Sequence, residues 1–174
     1  ERDGYQHLYL YNTDGTLVRQ LTSGPWVVTS LIGTDQKDTR AFFHATKNSP
    51  LNEDVFSVEL KSGVIKPISL NPGVLAAPLS PDAKYLLDVF SDTLVCREYD
   101  IVDTKGRVVQ VISRSDDPLD DYEKCTSHIF TLRAGDGTDL YAQMITPPEF
   151  NPAKKYPVIV YVYGGPHAQL VNNT

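Results

Sequence analysis

Cysteine is almost missing: Cys96 and Cys125 are the only two in 174 residues. Two cysteines cannot build a disulfide scaffold, their spacing is not a zinc pattern, and they leave the redox compartment open. No apolar run approaches the roughly 20 residues of a membrane-spanning helix. Basic residues are the minority, 16 Lys and Arg against 22 Asp and Glu, and they are scattered. A net charge of -6 with no basic cluster argues against a nucleic-acid footprint. No capped amphipathic helix is visible before residue 113. No Gly-x-Ser-x-Gly occurs, which excludes a nucleophile elbow within these residues. No signal-peptide pattern is visible, and Glu1 stands where Met would, so the start reads as processed or cut.

What is present is a repeated β pattern. Leu8 to Thr22, Val55 to Ser69 and Glu98 to Ser113 each read as a β-rich run, a polar turn closing on glycine, and a second β-rich run. The turn glycines are Gly15, Gly63 and Gly106, spaced by 48 and 43 residues. Such turns need positive φ, which Asp-Gly, Ser-Gly and Lys-Gly supply. Between the hairpins, Gly24 to Gly33, Thr39 to Thr46 and Gly73 to Asp92 each offer further strands, the last with a Ser80-Pro81-Asp82 turn. About four strands every 40–50 residues is the pattern of β-propeller blades. An unrelated β-sandwich with irregularly spaced hairpins is the competing arrangement.

Residues 114–126, RSDDPLDDYEKCT, are acidic and β-poor, and read as an interdomain linker in which Pro118 to Lys124 could form a short helix. His128 to Pro148 reads as another hairpin around Ala134-Gly135-Asp136-Gly137. Then comes Lys154 to Gln169, KKYPVIVYVYGGPHAQ. Val158 to Tyr163 is apolar at every position, which predicts a strand buried on both faces in a parallel sheet. Gly164-Gly165-Pro166 ends it in a turn of the kind on which α/β folds build sites. A parallel strand needs a crossover and neighbours. None follows before Thr174, so the chain reads as part of something longer.

Few residues look chemical. His7, His44, His128 and His167 show no metal-ligand spacing, and no metal or cofactor is expected. Asp116, Asp117, Asp120 and Asp121 lack the spacing of a calcium loop. Glu53-Asp54 reads as a surface pair. From the residues alone, Tyr163 reads as a strand-end aromatic packed under a helix, and His167 is a minor candidate for lining a pocket.

The order of parts (blades, acidic linker, LYAQMITPP, then VYVYGGPHAQ) resembles the dipeptidyl peptidase IV family of serine peptidases in the prolyl oligopeptidase clan. VYVYGGPHAQ is most similar to the bacterial prolyl tripeptidyl peptidases, and GPWVV and SPDAKYLLDVFSD resemble the last two propeller blades of the family. The resemblance implies a mainly β chain: a partial β-propeller of about two to three blades, then the truncated start of an α/β-hydrolase domain. Its boundaries would be 1–113 for the blades, 114–126 for the linker and 127–174 for the hydrolase portion. It implies a parent that removes N-terminal di- or tripeptides after proline, from peptides with Pro in the penultimate or third position. It implies that Tyr163 points its hydroxyl into the oxyanion hole, and it suggests a periplasmic or cell-surface location. The family's Ser, Asp and His would lie beyond Thr174, and its amine-binding Glu pair before Glu1. The chain alone would be inactive, and it would self-associate through exposed strand edges. Alternatives are another peptidase of the clan (an acylaminoacyl peptidase or an oligopeptidase) and a non-catalytic propeller fragment that binds a partner.

Overall fold

The computed structural model describes residues 2–68, 73–165 and 169–173. Every regular element among them is a strand. The chain divides into two compact units, Glu1–Ser115 with Asn173–Thr174, and Asp116–Asn172.

The first unit opens with a hairpin, β1 (Tyr9–Tyr11) and β2 (Leu17–Gln20). Two antiparallel four-stranded meanders follow. β3 (Val28–Thr34), β4 (Arg40–Ala45), β5 (Asp54–Glu59) and β6 (Ile65–Pro67) form one, in chain order. β7 (Val74–Ala76), β8 (Tyr85–Phe90), β9 (Glu98–Asp103) and β10 (Val108–Arg114) form the other, also in chain order. These are the blades that the hairpin spacing predicts. Gly15, Gly63 and Gly106 sit at φ between +75° and +85°, the left-handed region their turns require.

A second repeat lies in the turns that enter β4 and β8. The Asp35 N–H bonds the Arg40 carbonyl at 3.0 Å, and the Ser80 N–H bonds the Tyr85 carbonyl at 2.8 Å. The Asp35 carboxylate accepts the Thr39 and Arg40 N–H groups, as the Ser80 hydroxyl accepts those of Lys84 and Tyr85. Asp38 and Ala83 occupy the same place in the two turns, with φ of 49° and 53°. One backbone device is thus built from two different side chains, each of which competes for local N–H groups.

The first blade is buried on both faces. Consecutive strand residues point to opposite sides, and Phe42 and Phe43 are both fully buried. Phe43 joins Leu21, Trp26, Val28, Ala41, Phe56 and Val58, with Leu8 and Leu10 of the first hairpin packed against them. Phe42 joins Val55, Ile68, Ala77 and Leu86, the last two from the second blade. The second blade alternates along β8, burying Leu86, Asp88 and Phe90.

A polar latch closes the open end of the first hairpin. The Leu8 N–H donates to Thr22 Oγ1 at 2.9 Å. Thr22 Oγ1 lies 3.1 Å from His7 Nδ1, and His7 Nε2 lies 3.0 Å from the Gly24 carbonyl. That carbonyl only accepts, so Nε2 carries the proton and Nδ1 takes the Thr22 hydroxyl proton. The Trp26 indole stands edge-on to the His7 ring at 4.8 Å. It presses so closely on Gly24 that a Cβ there would meet Nε1 at 2.5 Å.

The second unit holds one hairpin, β11 (Thr126–Arg133) with β12 (Asp139–Thr146), in unbroken register. The expected helix over Pro118–Lys124 is absent. Asp120 N–H bonds the Asp117 carbonyl and Tyr122 N–H the Leu119 carbonyl, which makes tight i→i+3 turns. Like charges at 116/120 and 117/121 oppose a helix, while Lys124 Nζ draws Asp117 and Asp120 together at 2.6 Å each.

Val158–Tyr163 is a second correction. It joins no ladder, and its side chains are exposed, from 60% at Tyr163 to 97% at Ile159. A strand is stabilised by its partner's donors and acceptors, and among the described residues no segment pairs with this run.

Candidate functional site

Tyr163 is the residue that the sequence singles out. Its ring is mostly exposed and folds back over Gly165. A Cβ at Gly165 would meet ring Cε1 at 2.5 Å and the hydroxyl at 3.0 Å, both at the far end of the exposed Tyr163 side chain. Gly164 has open space around it. Neither Gly164 nor Gly165 takes a left-handed φ. Pro166 and His167 lie outside the described residues.

The described histidines are not set up as bases. Both ring nitrogens of His7 are spent on the latch. His44 is buried on β4 with Nδ1 unpartnered, and burial lowers its pKa against the pull of Glu53 and Asp54. His128 lies on the exposed hairpin, opposite Met144. Among the described residues, no group of three or more His, Cys, Asp or Glu side chains is placed to hold a metal ion.

The acidic pair splits. Glu53 is exposed and accepts a 2.8 Å bond from Thr29 Oγ1. Asp54 is buried rather than on the surface as the sequence suggests, because it opens β5 opposite the fully buried Ala45. The Asn48 amide holds one of its oxygens at 2.7 Å, the other has no partner, and burial raises its pKa.

A cleft of about 320 Å³ opens at the turn end of the two blades, lined by Arg40, Lys84, Tyr85, Lys105 and Arg107 among others. Three of its cations already carry their own aspartate: Arg40 with Asp35, Lys84 with Asp82, and Arg107 with Asp103. The Arg107 N–H and then its guanidinium hold the Asp103 carboxyl down to about 2. The cleft thus keeps little unmatched charge for an anion.

The sequence reading passes over one further group. Asp88 is in phase with Leu86 and Phe90 on β8, and its carboxylate points into the contact between the blades with Oδ1 unpartnered. The signal was available: a charged residue on the inward beat of YLLDVF.

Comparison with known proteins places these parts. The family described as Dipeptidyl peptidase IV (DPP IV) N-terminal region matches residues 1–96. Dipeptidyl peptidase 4 of Arthroderma otae is 32% identical over 178 residues, covering 99% of this chain and 23% of that protein. Dipeptidyl peptidase 4 of Trichophyton equinum is 31% identical over 179 residues, with the same coverage. The crystal structure of Porphyromonas gingivalis dipeptidyl peptidase 4 superposes with a TM-score of 0.90 at 28% identity, covering 99% of this chain and 25% of that one. The chain spans about a quarter of the length of these relatives. Its two meanders and leading hairpin are a partial β-propeller, and the chain belongs to the dipeptidyl peptidase IV family.

Proposed function

We propose that this chain is the junction of a proline-specific serine exopeptidase: late propeller blades over 1–113, a linker over 114–126, and the start of an α/β-hydrolase domain over 127–174. One observation carries the reading. The similarity to the Arthroderma otae dipeptidyl peptidase runs over 99% of the chain, through the blades and on past the linker. The second unit supports it. Register puts Phe130, Leu132, Leu140, Ala142 and Met144 on one face of β11–β12, and Phe130, Leu132, Leu140 and Met144 are at least 40% exposed. The exposed run Val158–Tyr163 lies in the same unit. Both are apolar surface of the kind a larger sheet buries.

In this reading the nucleophile and base lie outside these residues, and the parent removes di- or tripeptides after proline. Tyr163 donates a hydrogen bond to the scissile carbonyl oxygen as it gains charge in the tetrahedral state. A donor placed there beforehand stabilises the transition state more than the ground state. The test is Tyr163→Phe in the parent enzyme, assayed on Gly-Pro and Ala-Ala-Pro chromogenic substrates. The expected result is a kcat loss on the order of 10²-fold with KM little changed. A loss under about threefold would leave the hydroxyl without a catalytic role. The chain by itself should turn over neither substrate. Turnover abolished by a serine-directed fluorophosphonate would overturn the assignment.

A further inference from the structure

Asp88 stands opposite Asp100 across the β8–β9 ladder, on the face that carries Leu86 and Val102. Directly opposed side chains in such a ladder lie roughly 5 Å apart at Cβ, where like charges repel. Asp100 has a partner: Arg114 grips it in two-pronged fashion, with distances of 2.7 and 3.0 Å, and also reaches Glu98 at 3.0 Å. Asp100 therefore has its partner, and the nearby guanidinium is used up.

Asp88 is left with no such help. It is 92% buried, and it lines a cavity of about 10 Å³ whose other walls are Val55, Ile68, Ala77, Leu86 and Val102. A cavity must hold roughly one water volume and offer that water two to four polar partners before it solvates anything. These walls offer the one carboxylate. Val55 and Ile68 belong to the first blade, so the group sits in the contact between blades. By register, Arg40, His44, Glu59 and Lys66 are the titratable side chains on that face of the first blade, with His44 opposite Val55, while the charge acting on Asp88 is that of Asp100. The charges acting on His44 are Glu53 and Asp54, and Asp88 is not among them.

We propose that Asp88 is a proton switch in the contact between the two blades: protonated, it packs as a small neutral group, and ionised, it loosens the second blade from the first. Burial, and then the Asp100 charge across the ladder, raise its carboxyl to about 6. A folded-state value above the unfolded 3.8 means that the folded state holds the proton more tightly. The stability so gained is fully present below about pH 4 and is lost as pH rises to about 6. The difference between 3.8 and about 6 corresponds to about 100-fold in the folding equilibrium.

The test is ¹³C NMR of the Asp88 carboxyl in the full chain, together with urea titrations of wild type and Asp88→Asn from pH 4 to pH 7. The expected midpoint is near 6, with the Val55 and Leu86 methyl signals shifting at the same midpoint. The wild-type folding equilibrium should fall about 100-fold relative to Asp88→Asn across that range. Asp100→Asn removes the opposing charge and frees Arg114, so it should lower the Asp88 midpoint. This keeps the test decisive if Asp88→Asn fails to fold. A wild-type midpoint near 4, or an Asp100→Asn midpoint no lower than wild type, would overturn the proposal. Parallel pH profiles for wild type and a folded Asp88→Asn would do the same.

Discussion

Phe42 and Phe43 are neighbours on β4, and their side chains leave the strand in opposite directions. Both are fully buried, Phe42 in the cluster shared with the second blade and Phe43 in the cluster shared with the first hairpin. In a sheet with one wet face, one of two successive residues would tolerate truncation. In a blade held between two neighbours, neither should. A buried phenylalanine hides about 150–250 Å². At about 25 cal/mol per Å² that is about 4–6 kcal/mol, part of which alanine retains. The cavity left behind adds to the loss, and measured Phe→Ala costs run about 3–5 kcal/mol. We therefore expect Phe42→Ala and Phe43→Ala each to lower stability by about 3–5 kcal/mol. Leu31→Ala, at a 58% exposed site on β3, should stay within about 0.5 kcal/mol. Urea unfolding followed by Trp26 fluorescence suits the assay, because Trp26 is the only tryptophan and is buried in the Phe43 cluster. If a truncation leaves too little folded protein, Phe→Leu at the same position gives a smaller loss of the same sign. A cost below about 1 kcal/mol for either alanine variant would refute the two-sided packing.

Two other outcomes follow from the same structure. Thr22→Val keeps the shape of the latch but removes the oxygen that accepts from Leu8 N–H and donates to His7, so it should cost about 1–3 kcal/mol by calorimetry; no measurable loss would show the latch to be energetically idle. The strand β10 ends its sheet with Val108, Val109, Val111 and Ile112 all exposed, and such edges template pairing. Sedimentation of the chain should show self-association that Val111→Lys reduces, and a clean wild-type monomer at high concentration would contradict this.

Much of the blade architecture was legible because its signals are local. A glycine at a hairpin turn reports its own φ, and Gly15, Gly63 and Gly106 placed three hairpins before any contact was known. The Ser80-Pro81-Asp82 turn was visible, but its equivalence to Asp35–Arg40 was not, because a carboxylate and a hydroxyl do the same work and the repeat is one of hydrogen bonds and not of letters. Asp54 and Asp88 were hidden for a different reason: burial belongs to the packed assembly, and a charged letter reads as surface until a neighbouring sheet covers it. The apolar run at Val158–Tyr163 was plain to see, but its pairing depends on residues that its own sequence does not name. Gly165 was read as a turn residue, and the exposed Tyr163 ring lies over it without a left-handed φ at either glycine of the pair.

The central claim is that residues 28–67 and 74–114 form consecutive blades stacked face to face. Methyl-labelled NMR tests it most directly, through Val55 on β5 and Leu86 on β8, both of which line the small cavity between the sheets. The account predicts strong methyl–methyl NOEs between Val55 and Leu86, alongside the ladder contacts that pair Leu86 with Val102. Intact ladders with no NOE from Val55 to Leu86 would contradict it.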